Sequence, residues 1–176
     1  AAAELGQIEY ASMALVTLAL RASAVDVDLA GTGFLVPPVE GRQIKAATYT
    51  SRKWGWLADD VVMVRCSIGR HRDLWQLQRA DGELVDAAVA DLRDAVGLTG
   101  PVLDTHVQRW GGALPQYAVG HLDRVRRARA AVGQHPGLAL CGAALDGVGV
   151  PACVATGQEA ATQVVEHLAS RETMGT

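Results

Sequence analysis

The stretch LALCGAALDGVGVPACVATGQEAATQVVEHL, Leu138 to Leu168, reads as a short strand, a glycine loop and a helix. Leu138 to Ala144 is an apolar run bounded by Gly137 and Gly142, expected to be a strand. Ala161, Val164, Val165 and Leu168 recur at helical spacing and define the stripe that the helix is expected to bury. Gly147 and Gly149 lack side chains, so a planar group can approach the loop backbone closely. Pro151 suits the first helical position, where a missing N–H costs nothing. Free N–H groups and the positive end of the helix dipole then face whatever lies above the loop. Such an end suits an anion, or a ring that gains negative charge on reduction. The same residues also make an ordinary turn before a helix, and spacing alone does not separate the two readings.

Working outward, Val119 to Val132 reads as a helix of about four turns, ended by Gly133 and Pro136. Before it stands Trp110-Gly111-Gly112-Ala113-Leu114-Pro115-Gln116-Tyr117 at the end of a strand, Val102 to Arg109. That cluster is either a wall on which a ring stacks or an irregular connection around a core tryptophan. Further back the period is helical again. Leu84, Ala88, Leu92 and Val96 repeat every fourth residue with Val85 and Val89 beside them, so Gly82 to Val96 is predicted as an amphipathic helix stopped by Gly97. The first third is strand-like: Ala11 to Leu20, Gly31 to Val36, Ile44 to Ser51 and Val61 to Ile68, with Pro37-Pro38 forcing an extended turn and Trp54 and Trp56 in the last link. Ala1 to Ile8 reads as the last turns of a helix packed on something upstream, and the chain is expected to be a fragment. The fold class is α+β, strand-rich first and helix-rich later.

The 176 residues carry a net charge of −3 and a pI near 5.9, which gives no general electrostatic case for nucleic acid. Arg124, Arg126, Arg127 and Arg129 cluster on one predicted helix, but no aromatic residues interleave for base stacking, so they read as a solvated face. No apolar run reaches the roughly 20 residues of a membrane span, and Met13 to Leu20 reads as a buried strand. The opening residues lack the zones of a signal peptide. Cys66, Cys141 and Cys153 sit among apolar neighbours without ligand-like spacing, so buried free thiols in a reducing, cytoplasmic setting are expected and no metal. The five histidines form no nucleophile motif with Ser or Cys. His121 is expected to cap or pack the start of its helix, and no catalytic residue is assigned. The chain has no Gly-x-Gly-x-x-Gly of its own.

Four stretches, in order, resemble the porphyrinogen oxidases, flavoproteins related to the monoamine oxidases. Gly31-Thr32-Gly33-Phe34-Leu35-Val36-Pro37-Pro38 with Glu40-Gly41-Arg42 is similar to that family's "GFGFLVP…EGR" hairpin. Tyr49-Thr50-Ser51-Arg52-Lys53-Trp54 is similar to its "FSSxKW" strand. Trp110 with Ala113-Leu114-Pro115-Gln116-Tyr117 and Gly120-His121 resembles "W…A(M/I/L)PQY…GH". Gly142 with Gly147 to Gly157 resembles "GxxxxGVGVPxCIxSG". The resemblance implies that residues 1 to about 110 are the later part of a substrate-binding domain and residues 111 to 176 the last part of an FAD-binding domain. It implies FAD as cofactor, with Gly142, Gly147, Val148, Gly149, Val150 and Trp110 near the flavin. The implied substrate is a porphyrinogen, oxidised with oxygen or another acceptor. The family's dinucleotide-binding motif and its substrate-carboxylate arginine lie upstream of this stretch, so the chain alone is expected to be inactive and to need the N-terminal half of the same enzyme. Peripheral membrane contact and oligomeric state stay open. Other readings are a different flavin amine oxidase or desaturase, or a stand-alone, non-catalytic ligand-binding domain. The Arg-rich, Lys-poor composition suggests a GC-rich bacterium and inclines the reading to coproporphyrinogen over protoporphyrinogen.

Overall fold

The computed structural model describes residues 1–25, 31–55 and 60–174, and Trp56 lies outside them. The chain folds as two compact units, Ala11–Ala113 and a second made of Ala1–Tyr10 with Leu114–Thr176. No helix among the described residues is long and apolar enough to cross a membrane.

In the first unit five strands form one sheet: β1 (Tyr10–Arg21), β2 (Gly33–Leu35), β3 (Ile44–Tyr49), β4 (Val61–Ile68) and β5 (Val102–Pro115), in the order β2-β3-β4-β1-β5. β1 pairs antiparallel with β4 from Ala14 opposite Ile68 to Arg21 opposite Val61. β3 pairs antiparallel with β4, with an irregularity between Ile44 and Ala46, and with β2 on its other side. Strand alternation sends Ala14, Val16, Leu18 and Leu20 of β1, and Val64, Cys66 and Ile68 of β4, into one core. A short helix, α2 (Thr50–Lys53), follows β3.

The helix α3 (Asp81–Val96) closes that core with Leu84, Ala88 and Leu92, flanked by Val85, Val89 and Val96, as their spacing predicts. Glu83 reaches back to accept the Ala80 N–H, half of a capping box, and Ala80 has no side-chain oxygen to supply the other half. Gly97 ends the helix at φ 65°, a left-handed conformation that favours glycine. Two polar ties fix α3 to the β2–β3 region: Asp91 accepts the Ile44 N–H at 2.8 Å, and Asp94 pairs with Arg42. Each fully buried leucine contributes on the order of 2–3 kcal/mol.

The second unit holds α1 (Ala2–Leu5), α4 (His121–Val132) and the long α5 (Val150–Met174). α1 packs on α4, where the Arg127 guanidinium donates twice to Glu4, at 2.9 Å each. The opening turn therefore has a partner within this chain. The arginines of α4 are an ion-paired surface face: besides Arg127, Arg126 pairs with Asp123 and Arg129 with Asp146.

Three sequence expectations fail here. Leu138 to Ala144 is not a strand, because a strand exists only where a ladder partner does and no described strand pairs with this run. The expected buried stripe of α5 is mostly in solvent: Val165 is 63% exposed, Leu168 and Ala161 are also exposed, and Val164 is half-buried. The helix instead turns Thr156 inward, with Ala152, Cys153, Ala160 and His167 partly covered. Of the cysteines only Cys66 is buried; Cys153 is half-buried and Cys141 exposed.

Candidate cofactor-binding loop

The segment Gly142 to Gly149 is a loop with a tightly held stem and a bare tip. At its start Gly142 sits at φ 112°, which a side chain would resist, and its N–H donates to the Thr156 hydroxyl at 3.1 Å. Thr156 in turn donates to the Cys153 carbonyl at 3.0 Å, so a buried hydroxyl of α5 anchors the loop to the helix that follows it. Tyr117 donates its hydroxyl to the Ala143 carbonyl. His121 is only 5% exposed, and its Nε2 lies 3.0 Å from the Leu145 carbonyl, so that nitrogen carries the proton. The two rings stack with centroids 4.1 Å apart and 14° between planes. Arg129 grips Asp146 with both terminal nitrogens, and the Cys153 thiol lies 3.6 Å from the Gly147 carbonyl.

These contacts come from α4, the turn before it and the first turns of α5. Tyr117 precedes α4 and His121 opens it, and the turn through Gly120, at φ 82°, lies between the two stacked rings. Burial of its hydroxyl raises the Tyr117 phenol above its ordinary value, against a Gly147 backbone hydrogen bond that favours phenolate. The His121 expectation of packing at the helix start holds. Its hydrogen bond to a carbonyl 24 residues downstream is invisible to local spacing, as are the roles of Tyr117, Arg129 and Thr156.

Beyond Gly147 the side-chain ties stop. Val148 is 53% and Val150 77% exposed, on either side of Gly149. A Cβ on Gly149 would have only Pro151 Cδ near it, at 3.8 Å, and one on Gly142 would meet nothing within 4 Å. The Cys153 N–H donates to the Gly149 carbonyl at 3.0 Å, which makes Gly149 the cap, Val150 the first helical residue and Pro151 the second. Pro151 is thus one place later than predicted, and Val150 and Ala152 keep the free N–H groups of the first turn. The tip is apolar, unobstructed and backed by a helix of 25 residues whose positive end it covers. A flat ring carrying negative charge fits such a surface.

Trp110 belongs to the other unit. The sequence leaves it at a strand end, but β5 continues through Pro115, helped where Gly112 donates its N–H to Ser12 Oγ at 2.9 Å. Trp110 is 49% exposed and lines a shallow cleft of about 170 Å³ with Ser12, Met13, Leu74 and Leu77. Beside it, Arg109 ties β5 to the segment before α3 through the Leu77 and Arg79 carbonyls and to the start of α3 through Asp81.

No family model matches the chain. It is 41% identical over 162 residues to a coproporphyrinogen III oxidase of Mycobacterium tuberculosis, covering 92% of this chain and 35% of that protein. A coproporphyrinogen III oxidase of Bacillus subtilis is 30% identical over 172 residues, covering 97% and 37%. A crystal structure assigned as a protoporphyrinogen oxidase from Exiguobacterium superposes with a TM-score of 0.81 at 32% identity, over 94% of this chain and 37% of the other. The chain thus spans little more than a third of the length of these relatives. The chain is homologous, along nearly its whole length, to one contiguous third of the bacterial porphyrinogen oxidases.

Proposed function

We propose that this chain is the C-terminal part of an FAD-dependent enzyme that oxidises coproporphyrinogen III to the porphyrin in haem biosynthesis. In this reading the sheet unit belongs to the substrate-binding domain and the loop with α5 to the FAD-binding domain. The observation that carries it is the bare Val148-Gly149-Val150 tip on a stem clamped by Thr156, Tyr117, His121 and Arg129. A loop that serves only as a turn has no need of an exposed valine pair over open backbone. The names of the relatives support coproporphyrinogen over its later analogue.

Bound FAD supplies the oxidising chemistry. The chain's own task is to position and to exclude water. The valines would give a flavin ring an apolar seat, and the free N–H groups of Val150 and Ala152 would favour negative charge there. None of the loop's side chains is needed to move a proton, so no catalytic residue is assigned. The upstream two-thirds would bring the remaining flavin contacts, and the chain alone is inactive in this reading.

The test is a chimera in which this chain replaces the matching third of the Mycobacterium tuberculosis relative. It is expected to purify with bound FAD and to form fluorescent coproporphyrin, while Val148→Asp loses the flavin. The separate chain is expected to leave FAD fluorescence unquenched. A folded chimera without flavin sinks the proposal, and tight FAD binding by the chain alone points to a self-contained flavin domain.

A further inference from the structure

The sheet has a second face, turned away from α3. Residues directly opposite in an antiparallel pair share a face. With Val16, Leu18 and Leu20 pointing to the core, the other face receives Leu15, Thr17, Ala19 and Arg21 from β1. The register sets these opposite Ser67, Arg65, Met63 and Val61 of β4. On β3, Ala46 lies opposite Ser67 and Thr48 opposite Arg65; on β2, Leu35 lies opposite Ala46 and Gly33 opposite Thr48. One row therefore crosses four strands as Gly33, Thr48, Arg65 and Thr17.

This face is unusual for one that meets only water. It carries leucine, methionine, valine and alanine side chains, and Leu35 is 83% exposed. Among the positions named on β1 to β4 the polar members are hydroxyls and guanidiniums, and none is a carboxylate. Arg65 stands exposed between two half-buried threonines. Arg42, Arg79 and Arg109 of the same unit each have an acidic partner, and among the described residues Arg65 has none. A largely apolar sheet face with Arg65 unpaired at its centre and Arg21 at its edge complements a flat, apolar molecule with carboxylates on its rim. A guanidinium also binds a carboxylate through two parallel hydrogen bonds, which fixes orientation as well as charge.

We infer that Arg65 anchors a carboxylate of the tetrapyrrole on this sheet face, with Thr17 and Thr48 beside it and the apolar residues under the macrocycle. The inference rests on the porphyrinogen reading and adds to it a residue that decides which rim charges are accepted.

The probes are coproporphyrin III, with four carboxylates, and its tetramethyl ester, which has the same ring and no charge. Each is titrated into the purified chain and its Arg65→Lys, Arg65→Gln and Arg65→Glu variants, following porphyrin fluorescence, with thermal unfolding as a check on folding. Arg65→Glu is expected to weaken coproporphyrin binding by at least about tenfold, Arg65→Gln by several-fold and Arg65→Lys by less than about threefold. The ester is expected to bind all four proteins alike. Equal coproporphyrin affinity in the wild type and Arg65→Glu overturns the role of Arg65 and leaves the porphyrin reading standing. A wild-type chain that binds neither probe overturns this inference, while flavin retention and turnover in the chimera decide the broader reading separately.

Discussion

The two units solve the same problem differently. In the sheet unit the apolar faces of β1, β3 and β4 meet α3, and the core residues Leu18, Leu20, Ile44, Ile68, Leu84 and Leu92 are all but removed from solvent. In the other unit the longest helix of the chain buries little: Val154, Val165 and Leu168 of α5 stand more than half exposed. Its apolar core is small, made of Val125, Ala128 and Val132 of α4 with Ile8 and Leu145, and polar ties such as Arg127 to Glu4, His121 to Leu145 and Gly142 to Thr156 add to it. An apolar core is cooperative and insensitive to local detail. A clasp of single hydrogen bonds is specific about where a loop sits and can be loosened one bond at a time.

The contrast can be broken most forcefully at the core. Leu18→Ala is expected to destabilise the sheet unit by about 2–5 kcal/mol, whereas Val165→Ala should change stability by less than about 0.5 kcal/mol. Denaturant unfolding of the two variants measures both. A large loss at Val165 would mean that α5 has an apolar partner in solution and that the units differ less than described.

A smaller effect is expected at the clasp. His121→Phe keeps a stacking ring but leaves the Leu145 carbonyl without its donor, at a cost of about 1–3 kcal/mol. Hydrogen exchange at Gly142 to Gly147 should accelerate while exchange in β1 and β4 stays as in the wild type. Acceleration in both units together would show one cooperative body in place of two.

The mildest test uses the thiols. Cys141 should label at once with a thiol reagent, Cys153 more slowly, and Cys66 only on unfolding. Burial, with Asp91 nearby, pushes the Cys66 thiol from 9.0 up to about 12. Between those values the folded chain keeps a proton that the unfolded chain has released, so stability from this group is complete below pH 9.0 and falls as the pH rises toward about 12. Cys66→Ala is expected to flatten that decline in an unfolding series measured across the range.

Much of the sheet unit is legible in the sequence. Val61 to Ile68 is a strand with those bounds, and Leu84, Ala88 and Leu92 face the core as their fourfold spacing requires. Alternation and helical period report burial directly when the covering partner is present in the same unit. The same logic misleads for α5, where a stripe of apolar residues is present but uncovered. The loop shows a further limit. Gly147 to Pro151 stand out by composition, whereas nothing in the segments of Tyr117, His121 and Arg129 shows that they hold a loop 17 to 26 residues away.

Sequence by itself determined the strands of the sheet unit, the α3 stripe, the glycine tip and the likeness to a porphyrinogen oxidase, because period, turn chemistry and motif are written in neighbouring residues. The tertiary structure alone decided that Leu138 to Ala144 pairs with no described strand, that α5 turns Thr156 and not Val165 inward, and that Arg65 shares a row with Thr17 and Thr48. Ladder pairing, burial and cross-strand register are relations between distant segments, and no local pattern contains them.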